Sequence, residues 1–63
     1  MDPSTKEIEA YCRQYLNDIY VRDLNEFGKW DSLSLAELPE STREQWIVKF
    51  CRRGVLPVRV RRD

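Results

Sequence analysis

The sequence predicts a mostly all-α fold: a small helical domain with a long N-terminal helix, a connector carrying one helical turn, a second main helix and an extended basic C-terminal segment that can pair as a short strand. Three observations carry this expectation. Apolar side chains recur at Ile8, Tyr11, Cys12, Tyr15, Leu16, Ile19 and Tyr20, the i, i+3, i+4, i+7 spacing of one helical face. A second, shorter stripe at Trp46, Ile47, Phe50 and Cys51 follows two overlapping capping signals and stops before Gly54. The chain, 1–63, is a single domain in the size range where folding buries only about 60% of the surface, which leaves no room for a deep substrate cavity.

The first helix opens at "PSTKE", where Ser4 can cap the N-terminus and Glu7, three residues on, can close a capping box. Glu9 and Arg13, four apart in the favourable order, mark its wet side. The stripe continues through Leu24 and Phe27 to Gly28, a left-handed C-terminal cap, so the helix is expected over about 4–27. Inside it, "DIYVRDL" is rich in β-branched and aromatic residues and also reads as a strand facing the C-terminal "VLPVRV". Residues 18–24 are therefore helix or strand, and the helical spacing of Tyr20, Leu24 and Phe27 favours helix.

The connector, 28–40, carries its own apolar residues, Trp30, Leu33, Leu35 and Leu38, and is expected to lie over the core as a lid. Ser34 with Glu37 can cap one helical turn before Pro39. The second helix is expected over about 41–53, capped by Ser41 with Glu44 or by Thr42 with Gln45, and ended by Gly54. In the tail, 54–63, Val58 and Val60 alternate with Arg59 and Arg61, the period of a strand with one basic and one apolar face. Pro57 keeps that segment off a central strand position.

Hydrophobic residues at 41% and charged residues at 35%, with seven aromatics, suit a folded domain. The net charge is zero, but residues 1–48 sum to −5 and residues 49–63 to +5, so a basic contact surface can form at one end. The N-terminus lacks a basic segment followed by an apolar run, and nothing approaches the roughly 20 apolar residues of a membrane span. A soluble, cytoplasmic protein without membrane contact is expected, and Cys12 and Cys51 are expected as free thiols.

Catalysis is not expected. The chain has no histidine to serve as a general base near neutral pH, and either cysteine would lack the partner that activates a nucleophile. Two cysteines without histidine cannot assemble the usual tetrahedral zinc site, and Gly28 and Gly54 are isolated helix stops rather than a phosphate-cradling loop. No metal, cofactor or small-molecule substrate is expected.

What remains is macromolecular binding. Tyr11, Tyr15 and Tyr20 at helical spacing belong to the core with hydroxyls at its rim, or present Tyr11 and Tyr20 as recognition aromatics; Trp30 and Trp46 carry the same ambiguity. The leading expectation is a small non-enzymatic regulatory protein, of inhibitor or adaptor type, that binds and occludes a protein partner. Its anchors would be Trp30, Tyr11 and Tyr20, with Arg59, Arg61 and Arg62 fixing register against an acidic surface. The same Val/Arg alternation would also suit a strand added to a partner's sheet edge.

The alternative is DNA. The stretch "STREQWIVKFCRRGVLPVRVRRD", about the last third of the chain, resembles the recognition helix and following turn of excisionase-type and MerR-type DNA-binding domains. In both, a capped helix with a central aromatic runs into a basic pair, a glycine and a proline before a basic wing. The resemblance implies that Arg43, Gln45, Lys49 and Arg52 face the major groove and that Arg59, Arg61 and Arg62 reach phosphates. As plain helix chemistry, Lys49, Arg52 and Arg53 simply oppose the helix dipole.

Overall fold

In a computed structural model that describes residues 2–60, the elements run helix α1 (Thr5–Gln14), strand β1 (Tyr20–Leu24), strand β2 (Trp30–Ser34), one 3₁₀ turn (Leu35–Glu37) and helix α2 (Glu40–Arg53). Two helices and a two-stranded antiparallel sheet make this a small α+β fold, which corrects the all-α expectation.

The correction lies in residues 15–34. Helix α1 starts as expected, with the Ser4 hydroxyl accepting from the Glu7 amide at 3.1 Å, but it stops at Gln14 rather than near Phe27. Tyr15 leaves the helical conformation, and the chain reverses over 15–18, where the Asp18 and Ile19 amides both return to the Tyr15 carbonyl. Asn17 and Asp18 are turn residues, and Ile19, Tyr20 and Val21 behind them favour a pleated, half-buried surface. Within 18–24 the strand reading prevails, although β1 pairs with β2 and not with the C-terminal segment.

The stretch "NEFGK" builds the hairpin. The Asn25 amide bonds the Lys29 carbonyl at 2.8 Å, the Gly28 amide bonds the Asn25 carbonyl at 2.9 Å, and the Asn25 side chain accepts from the amides of Phe27 and Lys29. Gly28, at φ +74°, supplies the left-handed residue that a three-residue hairpin loop requires. The sequence located a left-handed glycine correctly and assigned it to the wrong element, because a helix cap and a hairpin loop make the same demand at that residue. Beyond the turn, Tyr20 pairs Ser34, Val21 pairs Leu33, Arg22 pairs Ser32, Asp23 pairs Asp31 and Leu24 pairs Trp30.

The Leu35–Glu37 turn carries the cap expected of it, the Glu37 carboxylate accepting from the Ser34 amide at 3.0 Å. Helix α2 begins at Glu40 with Pro39 at its N-cap and no side-chain cap, so neither expected capping box forms; Glu44 is turned instead to Arg13. Its end is as expected, Gly54 adopting φ +70°.

The core is Ile8 and Cys12 from α1, Ile19 and Val21 at the start of the hairpin, Leu35 and Leu38 from the connector, and Ile47 and Phe50 from α2. Each buried aliphatic side chain of this kind contributes about 1.5–3 kcal/mol. Arg13 clamps the two helices together, its guanidinium gripping both Glu44 oxygens at 2.7 and 3.1 Å while also reaching Glu9 at 3.5 Å.

After Gly54 the chain runs without regular structure through Val60, so no strand forms in the described part of the tail. It is nonetheless tied down. Pro57 is buried, the Arg59 guanidinium lies 3.8 Å over the Tyr15 ring, and the Val60 amide donates to the Asp18 carbonyl at 2.7 Å. Among the described residues, no helix is long and apolar enough to cross a membrane.

Candidate functional site

The sheet has only two strands, so each strand has an outer edge, and the chain closes part of both with carboxylates. The bonds at Asn25–Lys29 and at Leu35–Ile19 fix the ladder's alternation and point the amides of Tyr20, Arg22, Leu24, Trp30, Ser32 and Ser34 outward. Asp23 Oδ1 accepts from the Leu24 amide at 2.7 Å, Asp31 Oδ1 from the Ser32 amide at 2.8 Å, and Glu37 from the Ser34 amide. Two aspartates directly opposite one another repel, and here each serves its own edge. These three donors are occupied by negative groups, which blunts part of each edge against strand addition, and the hairpin presents side chains beside them.

Those side chains are conspicuously apolar. Phe27 at the loop tip is 77% exposed, Trp30 64% and Leu24 48%. Leu24 and Trp30 form a non-hydrogen-bonded cross-strand pair, the closer of the two pair types, yet they serve different concavities. Leu24 and Phe27 join Leu33, Leu38 and Pro39 in an open groove of about 460 Å³ whose remaining lining is Asn25, Glu26, Asp31 and Glu37. Among the described residues, three carboxylates and no cation line it, and none of the three forms an ion pair.

Trp30 belongs to a second cleft, of about 340 Å³, between the hairpin and α2. Arg22 and Asp23 line it from β1; Thr42, Gln45, Trp46 and Lys49 line it from α2. Trp46 donates its indole N–H to Asp23 Oδ2 at 2.7 Å, and Lys49 Nζ sits 4.3 Å above the Trp46 ring. The Trp46 hydrogen bond, and after it the Leu24 amide, hold the Asp23 carboxyl below its ordinary value.

Among the described residues expected to bind a protein partner, Tyr11 and Arg59 both meet the Tyr15 ring, while Trp30 lies apart in the cleft. Tyr11 is half-buried, edge-on to Tyr15 at 4.9 Å and packed against the core. Tyr20 lies in β1 beside Ile19, Phe50 and the Val55–Val58 segment, and Trp30 stands in the cleft. Arg59 is held on Tyr15, and Arg61 and Arg62 lie outside the described residues.

Of the residues expected to contact DNA, Gln45, Lys49 and Arg52 share the solvent side of α2, whereas Arg43 is partly buried and donates to the Leu38 carbonyl at 3.3 Å. A hairpin and a single 3₁₀ turn precede α2, where the excisionase and MerR resemblance calls for a full scaffold helix.

Sequence reading passed over Phe27, Leu24 and Arg22 as site residues. Phe27 had a usable signal: a phenylalanine inside "NEFGK", at a loop position where polar residues prevail. Cys12, an unused nucleophile candidate, is pushed up to about 11, first by burial and then by the nearby Cys51, so it stays a thiol at neutral pH. Among the described residues, no cluster of carboxylate or thiol side chains could hold a metal ion.

Comparison with known proteins gives no match: no protein family, no curated protein and no solved structure matches this chain.

Proposed function

We propose that this protein is a non-enzymatic protein-binding module that occludes a partner's surface with its β-hairpin. The observation that carries the reading is Phe27, a large aromatic side chain 77% exposed at the tip of a loop locked by Asn25 and Gly28. A rigid anchor of this kind loses little conformational freedom on binding, and aromatic anchors dominate interface energetics. The groove beside it offers Leu33, Leu38 and Pro39 as a floor for the partner's own apolar residue.

Charge narrows the partner. The tail arginines suit an acidic surface; Arg59 lies over Tyr15, Arg61 and Arg62 lie outside the described residues, and the groove beside Phe27 is lined by Glu26, Asp31 and Glu37. The segment that suits this rim is apolar at its centre and flanked by lysine or arginine, since opposite potentials speed encounter and like charges exclude wrong partners.

The test is site-specific photo-crosslinking in cells, with the reactive residue placed at Phe27 and, as a control, at the exposed Ala10 of α1. One defined protein attached at 27 and absent at 10, resistant to nuclease, is the expected result. Equal labelling from both positions, or none at 27, overturns the reading.

A further inference from the structure

The second cleft shares no residue with the groove, and its chemistry is of the opposite kind. Its single carboxylate, Asp23, has both oxygens engaged, one by the Trp46 indole and one by the Leu24 amide. Its two cations, Arg22 and Lys49, form no ion pair among the described residues, and Lys49 makes only the smallest of the contributions that keep Asp23 ionised. Thr42 and Gln45 add neutral hydrogen-bonding groups, and the exposed indole of Trp30 forms the hairpin side.

The cleft continues along α2. Thr42, Gln45, Lys49 and Arg52 follow one another at helical spacing, with Arg53 beside them, and Glu44 borders the Gln45–Arg52 part of this face with both its oxygens held by Arg13. From Thr42 to Arg52 the face extends about 15 Å along the helix axis.

We infer that the Trp30–Trp46 cleft and the basic face of α2 form a binding site for single-stranded nucleic acid. Stacking platforms beside a row of cations are what an unpaired strand requires: bases lie on an exposed aromatic ring while phosphates follow the positive side chains. Trp30 supplies the platform, because one face of Trp46 is already covered by Lys49; Arg22 and Lys49 supply the cations of the cleft, and Arg52 and Arg53 continue them along the exposed end of α2. A duplex hides the base faces that Trp30 would meet. An acidic polypeptide satisfies the cations but gives the planar indole no reason to stand exposed among them. The inference uses neither Phe27 nor any other groove residue, so it stands or fails apart from the protein-binding reading.

The test is fluorescence anisotropy of a labelled oligothymidylate of about 12 nucleotides, titrated with the full chain at several salt concentrations. With four phosphates neutralised, the slope of log affinity against log salt is expected near −2.8, which is about a 50-fold loss between about 50 and 200 mM salt. Trp30→Ala should weaken binding about ten-fold with the slope unchanged, because stacking carries no counterion. Arg22→Gln with Lys49→Gln should reduce the slope by about 1.4, and Phe27→Ser should change neither quantity.

All these positions are exposed, and circular dichroism verifies that each variant is folded. Binding unaffected by Trp30→Ala overturns the proposal, as does equal affinity for a duplex of the same length. Polyglutamate binding as tightly, with the same dependence on Trp30, also overturns it and assigns the cleft to an acidic protein. Absence of binding at the lowest salt does so too.

Discussion

Trp46 of α2 donates its indole N–H to Asp23 of β1 at 2.7 Å, and this one bond ties the hairpin to the second helix. Asp23 is where the chain's two strategies meet. One carboxylate oxygen closes a strand edge and the other orients the tryptophan, so the acid stays ionised beside Lys49 and offsets one of the cleft's two cations, Arg22 and Lys49.

The bond implies acid sensitivity. Asp23 is held below its ordinary value, and Glu44 likewise, by its hydrogen bond to Arg13. A carboxyl with a depressed folded-state value stabilises the fold above its unfolded value, about 4, and loses that contribution as pH falls through the folded value. Melting temperature should be flat above about pH 5 and decline below about pH 4. Asp23→Asn should lower the plateau and shallow the decline; a decline identical to the parent's would remove Asp23 from the account.

Arg13→Gln should lower the melting temperature modestly at low salt, and the difference should shrink in about 1 M salt. Arg13 and Glu44 are nearly half exposed, at 46% and 43% of their side-chain surface, and exposed pairs are screened. A difference that persists undiminished would mean that Arg13 acts through packing of its stem, not through charge.

Core and hairpin tip should separate cleanly in mutagenesis. Ile8 and Leu35 are fully buried, and Ile8→Ala or Leu35→Ala should each cost about 2–5 kcal/mol, enough to threaten a domain of this size. Phe27→Ser should leave the melt within about 0.5 kcal/mol of the parent while abolishing crosslinking to the partner. Thermal denaturation followed by circular dichroism measures both.

Gly28→Ala tests the hairpin directly. Nothing lies within 4 Å of an added Cβ, so any cost comes from the backbone at φ +74° and not from a clash. A loss of about 1–2 kcal/mol is expected, with Gly28→Asn costing less because asparagine tolerates this conformation. Equal stability of the alanine variant and the parent would mean that the loop does not hold a left-handed residue.

Alkylation should distinguish the thiols. Cys51 is partly exposed and donates weakly to the Thr5 carbonyl at 3.8 Å, whereas Cys12 is buried with its thiol pushed up to about 11. Iodoacetamide at about pH 8 should modify Cys51 first and Cys12 only with unfolding, as read by intact mass. Simultaneous modification would contradict the packing of α1 on α2.

Much of the fold was legible from local chemistry. Ser4 and Glu7 mark the start of α1, Gly54 ends α2, and the apolar spacing from Ile8 to Cys12 and from Trp46 to Cys51 names helix faces that do meet. These features are set within a turn or two of chain. Residues 18–27 were not legible, because Tyr20, Leu24 and Phe27 satisfy a helical period as well as a hairpin's, and Gly28 suits both endings. Only long-range pairing could decide between them. A helix to residue 27 would leave Leu33 and Trp30 without partners, while the hairpin gives Val21 to Leu33 and places Ile19 and Leu35 together in the core.

The candidate sites depended on that same decision. Composition identified two tryptophans and a basic C-terminal third, and the helical period placed Gln45, Lys49 and Arg52 on one side of α2. Nothing local could bring Arg22 and Trp30 across to them, or direct Arg59 away from solvent onto Tyr15. The sign of charge along the chain is a property of sequence. Which charges remain unpaired depends on folding, since Asp23, Glu44 and Arg59 were given partners 23, 31 and 44 residues distant by packing that no short stretch encodes.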